Sequence, residues 1–148
     1  MDSVARGSEI FVRLDPGEKL VESLARFAAK QAIATAAIVS GVGMLSRAEL
    51  GFFDVEMDDY RRTVYEGIFD LSVILGNIVW RGGEPVPHVH AVFNDPSHAT
   101  YSGHVMEATC HITMEIFLSL PPFALERVKL PDCPATRIIP KTTRPHTS

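Results

Sequence analysis

Cysteine is scarce in this chain of 148 residues. Only Cys110 and Cys133 occur, neither in a Cys-x-x-Cys pair, so a disulfide framework is excluded. Long apolar runs are also missing. The best, Ala32 to Val39, falls far short of the ~20 residues of a membrane-spanning helix. Met1 to Glu9 lacks the basic region and apolar stretch of a secretory signal, so a soluble, cytoplasmic protein is expected. Basic clusters are nearly absent: Arg61-Arg62 is the only adjacent pair, and Asp58-Asp59 lies beside it. Fourteen basic against 18 acidic residues give a net charge of −4. That balance argues against strong binding of the isolated chain to a phosphate backbone, while leaving room for a local patch in an oligomer. No P-loop, nucleophile elbow or dinucleotide fingerprint is present, nor any repeat or low-complexity tract.

What is present is ordinary globular material, 46% apolar and 22% charged. A chain of this mass is expected to expose roughly 7,500 Å² folded against roughly 23,600 Å² unfolded, so about 68% is buried. Such a core needs no disulfide or metal. One domain is expected over residues 8–120, with a short tail at 1–7 and a Pro-rich arm at 121–148. Ile10 to Leu14 reads as a strand. Asp15-Pro16-Gly17-Glu18 reads as a helix start, with Asp15 as cap, and the apolar spacing of Leu20, Leu24, Phe27 and Ala28 carries the helix to about Gln31. The remainder reads as strands: 36–40, 48–55, 60–64, 68–75, 78–80, 87–93, 99–106 and 110–120. Gly41-Val42-Gly43 and residues 81–87 are expected to break them. Along the last strand Cys110, Ile112, Met114, Ile116 and Leu118 are assigned to one face. Residues 121–148 hold six of the ten prolines, which exclude a long helix or a central strand. An extended arm with a loose end from about Lys141 is expected. The fold class is α+β, a largely antiparallel sheet with one main helix.

Five of the six histidines fall between residues 88 and 111. His88 and His90 are two apart in a predicted strand, so both imidazoles point to one face about 6.6 Å apart. The turn at Asn94 to Ser97 folds the next strand back, and a hairpin centred between Pro96 and Ser97 sets His104 opposite Val89. A bulge at Gly103 could bring its side chain onto the same face. Three imidazoles with an open fourth position is the pattern of a catalytic or ligand-binding zinc site, with Fe, Ni or Cu as alternatives. From spacing alone this reading stands beside the plain one, histidines that make ordinary hydrogen bonds.

Other candidates are weaker. His98 lies in the turn and reads as solvated, and His146 lies in the tail. His111 could pair with Glu115, although an ordinary surface histidine is favoured. Cys110 alternates with core residues and reads as an inert buried thiol; Cys133 cannot be placed near the site. Asn77, after Gly76, reads as a bulge residue in preference to a partner for a ligand histidine. A triad of Ser102, His104 and Asp95 finds no support in the spacing.

Several stretches together resemble the plants-and-prokaryotes-conserved (PPC) domain. They are Arg13-Leu14-Asp15-Pro16-Gly17-Glu18, Ser40-Gly41-Val42-Gly43, Leu75-Gly76-Asn77, Pro87-His88-Val89-His90-Ala91 and Gly103-His104-Val105, spread over about residues 8–120. The resemblance implies a compact α+β domain that assembles as a homotrimer, and a metal, zinc foremost, on His88, His90 and His104. Prokaryotic members carry a DNA-binding label that comes from plant relatives with a separate Arg-Gly-Arg-Pro hook. This chain has no such hook; Thr143-Arg144-Pro145 is a faint echo. The three-histidine pattern and fold are also similar, more distantly, to acetolactate decarboxylase, a zinc lyase that needs an arginine and carboxylates beside its metal. Arg47, Glu66, Asp70 and Glu115 are available here but cannot be matched residue by residue. Asp70 stands where many relatives carry Glu, and Ser102 where many carry a second glycine. The expected function is a trimeric binding or regulatory module whose metal is open to a small anionic or carbonyl ligand. The alternative is a metal-dependent lyase or hydrolase acting on a small oxygen-rich substrate, with direct DNA binding third and no membrane association.

Overall fold

The computed structural model describes residues 1–131 and 133–141, with side chains left out at 133–135. Eight strands and one helix follow in the order β1 (Asp2–Arg6), β2 (Glu9–Leu14), α1 (Leu20–Lys30), β3 (Thr35–Asp54), β4 (Asp59–Arg81), β5 (Glu84–Asn94), β6 (Thr100–Ser119), β7 (Leu125–Leu130) and β8 (Cys133–Pro140). The sheet runs β1-β2-β6-β3-β4-β7-β8, and β5 pairs with both β4 and β6. The four long strands therefore close on themselves, β3 to β4 to β5 to β6 and back to β3. Among the described residues every strand pairing is antiparallel except a single parallel bridge, Trp80 to Glu126.

The core explains the closure. Leu45, Leu71, Ile74, Ile78, Phe93, Met114 and Ile116 are almost wholly buried on the inner faces of these strands. Leu20, Leu24, Phe27 and Ala28 of α1 pack against them as one stripe. Each such Leu or Phe gains roughly 1.5–3 kcal/mol on burial.

β4 runs unbroken where three strands were expected over 60–80, and the expected break at 81–87 narrows to Gly82-Gly83. Four further boundaries differ from the sequence reading, each for a local reason. Asp15-Pro16-Gly17-Glu18 is a turn, not a helix start. Gly17 has φ of 83° and the Glu18 N–H donates to the Asp15 carbonyl at 3.1 Å, the type II geometry that Pro-Gly favours. The helix starts at Leu20, and Lys19 makes no side-chain cap. The Glu107 carboxylate caps it from β6, accepting from Val21 N at 2.8 Å and Glu22 N at 3.1 Å. Gly41 and Gly43 do not break β3. A Cβ on Gly43 would lie 2.8 Å from the Met114 Cα, so this glycine lets two backbones approach closely. Residues 1–7, expected as a tail, include β1, which pairs with β2. The expected arm folds into a hairpin, with β7 paired to β8 from Leu125↔Pro140 to Leu130↔Cys133. The tail beyond Lys141, with Thr143 to His146, lies outside the described residues, as does the side chain of Cys133.

On β6 the expected alternation fails at one place. The register against β3 shifts between Gly43↔Met114 and Leu45↔Cys110, two residues opposing four. The extra residues turn Ile112 outward, 57% exposed, while Cys110, Met114, Ile116 and Leu118 stay inside.

Candidate metal centre

The β5–β6 hairpin sets the site. Asn94 pairs with Thr100, leaving a five-residue connection, 95–99. Asp95 organises it: Oδ1 accepts from Ser97 N (2.8 Å), Ser97 Oγ (2.6 Å) and Ala99 N (3.1 Å), and Oδ2 accepts from Tyr101 Oη at 3.1 Å. These bonds, led by the Ser97 hydroxyl, hold its carboxyl below the usual range. Asp95 is thus a loop organiser and no member of a triad. His98 sits in the same loop with φ of 64°, exposed, away from the other histidines.

An odd loop length shifts the register by one from the expected pairing. His104 lies opposite His90, not Val89. Directly opposed residues in an antiparallel pair share a face, so no bulge at Gly103 is needed. His88, two residues back, joins them. The three ring centroids lie 4.9–5.4 Å apart. One nitrogen from each ring lies within 4.8 Å of the others, so the group could hold an ion. Tetrahedral coordination at ~2.05 Å per nitrogen would place them about 3.4 Å apart, so the rings need to draw in slightly.

The surroundings suit neutral imidazoles. His88 and His104 are partly buried and His90 is exposed. Burial, reinforced by the Arg127 charge, pushes the His88 pKa down to about 4. Burial likewise lowers that of His104. Both rings are uncharged at neutral pH, so each carries one nitrogen lone pair of the kind an ion takes. His104 Nδ1 is buried without a hydrogen-bond partner, and its ring stacks on Tyr60 at 5.3 Å. A buried polar atom left unpaired is costly, and an ion would relieve that cost. Three neutral imidazoles are a donor set that fits zinc.

Asn77 lies in regular register between Ala37 and His88, which overturns its reading as a bulge residue. Its Oδ1 accepts from Arg127 Nη2 at 2.9 Å, and the same nitrogen donates to His88 Nδ1 at 3.0 Å. Arg127 comes from β7, within the segment expected only as an arm. Beside the histidines opens a cleft of about 380 Å³ that includes Tyr60, Arg62, Arg81, His88, His104 and Arg127. A second hollow of about 270 Å³, which His90 also lines, adjoins it at Tyr60, His88 and His104.

The other candidates stay apart. Arg47 pairs with Glu49 at 3.0 Å. Neither Arg47 nor Glu66, Asp70 or Glu115 lines either hollow. His111 makes no ion pair with Glu115 among the described residues. Cys110 is buried, its thiol pushed up to about 11 by burial, with Sγ facing the Leu14 carbonyl at 3.5 Å. That is an inert thiol, as expected. Sequence reasoning did not find Tyr60, Arg62, Arg81 or Arg127 at the site. The run Leu125–Leu130 holds two basic residues, Arg127 and Lys129, and nothing in it singles out Arg127.

The family model of the Plants and Prokaryotes Conserved (PCC) domain matches residues 1–120. No curated protein matches the chain. Among solved structures, a plant- and prokaryote-conserved (PPC) protein of Pyrococcus horikoshii is 26% identical, with 84% of this chain and 87% of that one covered and a TM-score of 0.78. A metal-containing protein of Archaeoglobus fulgidus is 24% identical, with 90% and 94% covered and a TM-score of 0.80. A protein described as "putative DNA-binding" from Ralstonia eutropha JMP134 is 22% identical, with 92% and 94% covered and a TM-score of 0.85. A distant likeness of fold alone reaches the acetolactate decarboxylase of Bacillus subtilis, at 15% identity and a TM-score of 0.53, with 75% of this chain and 51% of that one covered.

Proposed function

We propose that this chain, which belongs to the Plants and Prokaryotes Conserved domain family, is a metal-holding binding module. His88, His90 and His104 would ligate one divalent ion per chain, zinc by the chemistry of three imidazoles. The fourth position would stay open to a small ligand. The observation that carries this reading is the direct pairing of His90 with His104, with His88 beside them on the same face. The description of the Archaeoglobus relative as metal-containing supports it. A bound ion would polarise a ligand oxygen at the open position.

Homotrimeric assembly belongs to the same proposal. Val39, Val42, Ile68, Leu75, Ile112 and Phe117 are each about half exposed on the strands. Apolar surface of this kind supports burial against further copies. Direct DNA binding ranks lower. The label is that of a relative, and the net charge here is −4. No helix among the described residues is long and apolar enough to cross a membrane.

A metal-dependent lyase or hydrolase is the second reading, favoured by the arginines in the cleft. Against it, no carboxylate among the described residues lines the cleft or the adjoining hollow, and acid–base chemistry on a small substrate ordinarily uses one. The test is elemental analysis with sedimentation equilibrium on untagged protein purified without added metal. About one metal ion per chain and a mass near three chains support the module. Metal-free protein contradicts the site, and a monomer contradicts the assembly.

A further inference from the structure

Charge and lone pairs at the cleft do not balance without a further component. Arg62, Arg81 and Arg127 line it together with His88 and His104, and no Asp or Glu among the described residues does. Arg62 is offset by Glu49, 3.3 Å away. Among the described residues Arg81 and Arg127 have no carboxylate partner. Arg127 is partly buried and, among the described residues, its Nε is left without a hydrogen bond; burial first, and then the nearby Arg81 charge, lowers its pKa. Two guanidinium groups beside one another are held more readily when an anion lies between them.

Arg127 is committed to His88 in a way that an ion would disturb. A neutral imidazole has one lone pair. In this structure Arg127 Nη2 occupies it, at Nδ1. An ion on His88 needs that same lone pair, so the two bonds exclude one another. Loading the three histidines would release the guanidinium beside a dication, where it needs a negative partner. Arg127 also lies on β7, beyond the residues that the family model matches, and is tied to the body by Asn77.

We infer that the cleft binds an oxyanion group of a small molecule, a carboxylate or a phosphate, with Arg127 as its main anchor and Arg81 beside it, and that this binding favours metal on the three histidines. The inference rests on the proposed metal site for its second half only. An oxyanion neutralises the released guanidinium, so anion and metal each raise the affinity for the other, by the same factor. Without an anion, Arg127 competes with the metal for His88.

The test is equilibrium dialysis of the full chain as purified, with radiolabelled malonate in one arm and inorganic phosphate in the other, and metal content measured on every sample. Wild type is compared with Arg127→Gln and Arg127→Lys, and folding is checked by thermal melting. We expect saturable binding of at least one probe, near one per chain. It should weaken at least about tenfold in Arg127→Gln, the scale of a lost charge-assisted hydrogen bond. The Lys variant, which keeps the charge and the fold but not the fork, should fall between. Binding of malonate alone assigns a carboxylate ligand, and of phosphate alone a phosphate ligand. Neither probe binding, or equal binding in Arg127→Gln, overturns the inference. Metal present without anion binding sinks this inference alone. Anion binding that depends on Arg127 in protein free of metal sinks the metal reading and leaves the oxyanion site standing. Metal content in Arg127→Gln should be equal to or higher than wild type in anion-free buffer; a loss there contradicts the competition for His88.

Discussion

Replacing Gly76 with alanine should damage the fold and the site together. Gly76 pairs with Ile38 on one side and Val89 on the other, next to the Asn77–His88 pair. A Cβ there would press directly on the His88 carbonyl oxygen and lie 3.0 Å from the His88 carbonyl carbon and 3.1 Å from Val89 Cα. All three are backbone atoms, so no rotamer change gives relief and β4 must part from β5. Overpacking of this kind costs about 1–3 kcal/mol. Stretching one or two ladder hydrogen bonds adds about 1 kcal/mol. A total near 3 kcal/mol lowers the melting temperature of a domain this size by roughly 6–12 °C. Gly103→Ala is the control. Its Cβ would meet Leu50 Cδ1 at 3.5 Å, an ordinary contact, so its cost should stay below about 1 kcal/mol. The assay is thermal unfolding by circular dichroism on metal-free protein, followed by metal uptake. Gly76→Ala should also take up less metal, because β5 carries His88 and His90. A Gly76→Ala melt within about 2 °C of wild type, or a Gly103→Ala melt below that of Gly76→Ala, would refute the reasoning.

Three further outcomes can be checked. Glu107→Ala removes the acceptor for Val21 N and Glu22 N and should lower stability by about 1–2 kcal/mol in urea unfolding; an unchanged midpoint would show that the helix start needs no acceptor. In metal-free protein, the unfolded chain takes up a proton at His88 near pH 6.5 and the folded chain only near pH 4. Stability is therefore fully present above pH 6.5, is lost as pH falls from there to about 4, and levels off below. His88→Asn should flatten that slope in urea midpoints measured against pH, and an unaltered slope would contradict the burial of this ring. Stripping the metal from loaded protein should lower the melting temperature by about 5–10 °C, since a ligand at a hundred times its Kd adds about 2.7 kcal/mol; identical melts before and after chelation would contradict metal binding to the folded state.

The histidine cluster was legible because its two determinants are local. A period of two puts His88 and His90 on one face, and a short turn returns His104. Its register was not legible. The notional hairpin centre was half a residue off, because the bonds that Asp95 makes to Ser97 and Ala99 hold a five-residue loop. The helix was visible in the spacing of Leu20, Leu24, Phe27 and Ala28, but its start was not. Asp15 looks like a cap in sequence, whereas the cap comes from Glu107, some 86 residues away. Gly41-Val42-Gly43 reads as a turn because glycine suits turns, and Gly76-Asn77 as a bulge. Gly43 and Gly76 instead mark close approaches of one strand to another, which depend on a partner far along the chain. The arginines of the cleft were hidden for the same reason: Arg62, Arg81 and Arg127 come from β4 and β7, and only their pairing gathers them.

The central claim is that His88, His90 and His104 hold one ion between them. It is tested most directly by elemental analysis of untagged wild-type protein beside His88→Ala, His90→Ala and His104→Ala, each shown to be folded and purified without added metal or chelator. The account predicts about one metal ion per wild-type chain and its loss in each of the three variants. Metal absent from the wild type, or retained in any one of the folded variants, would contradict it.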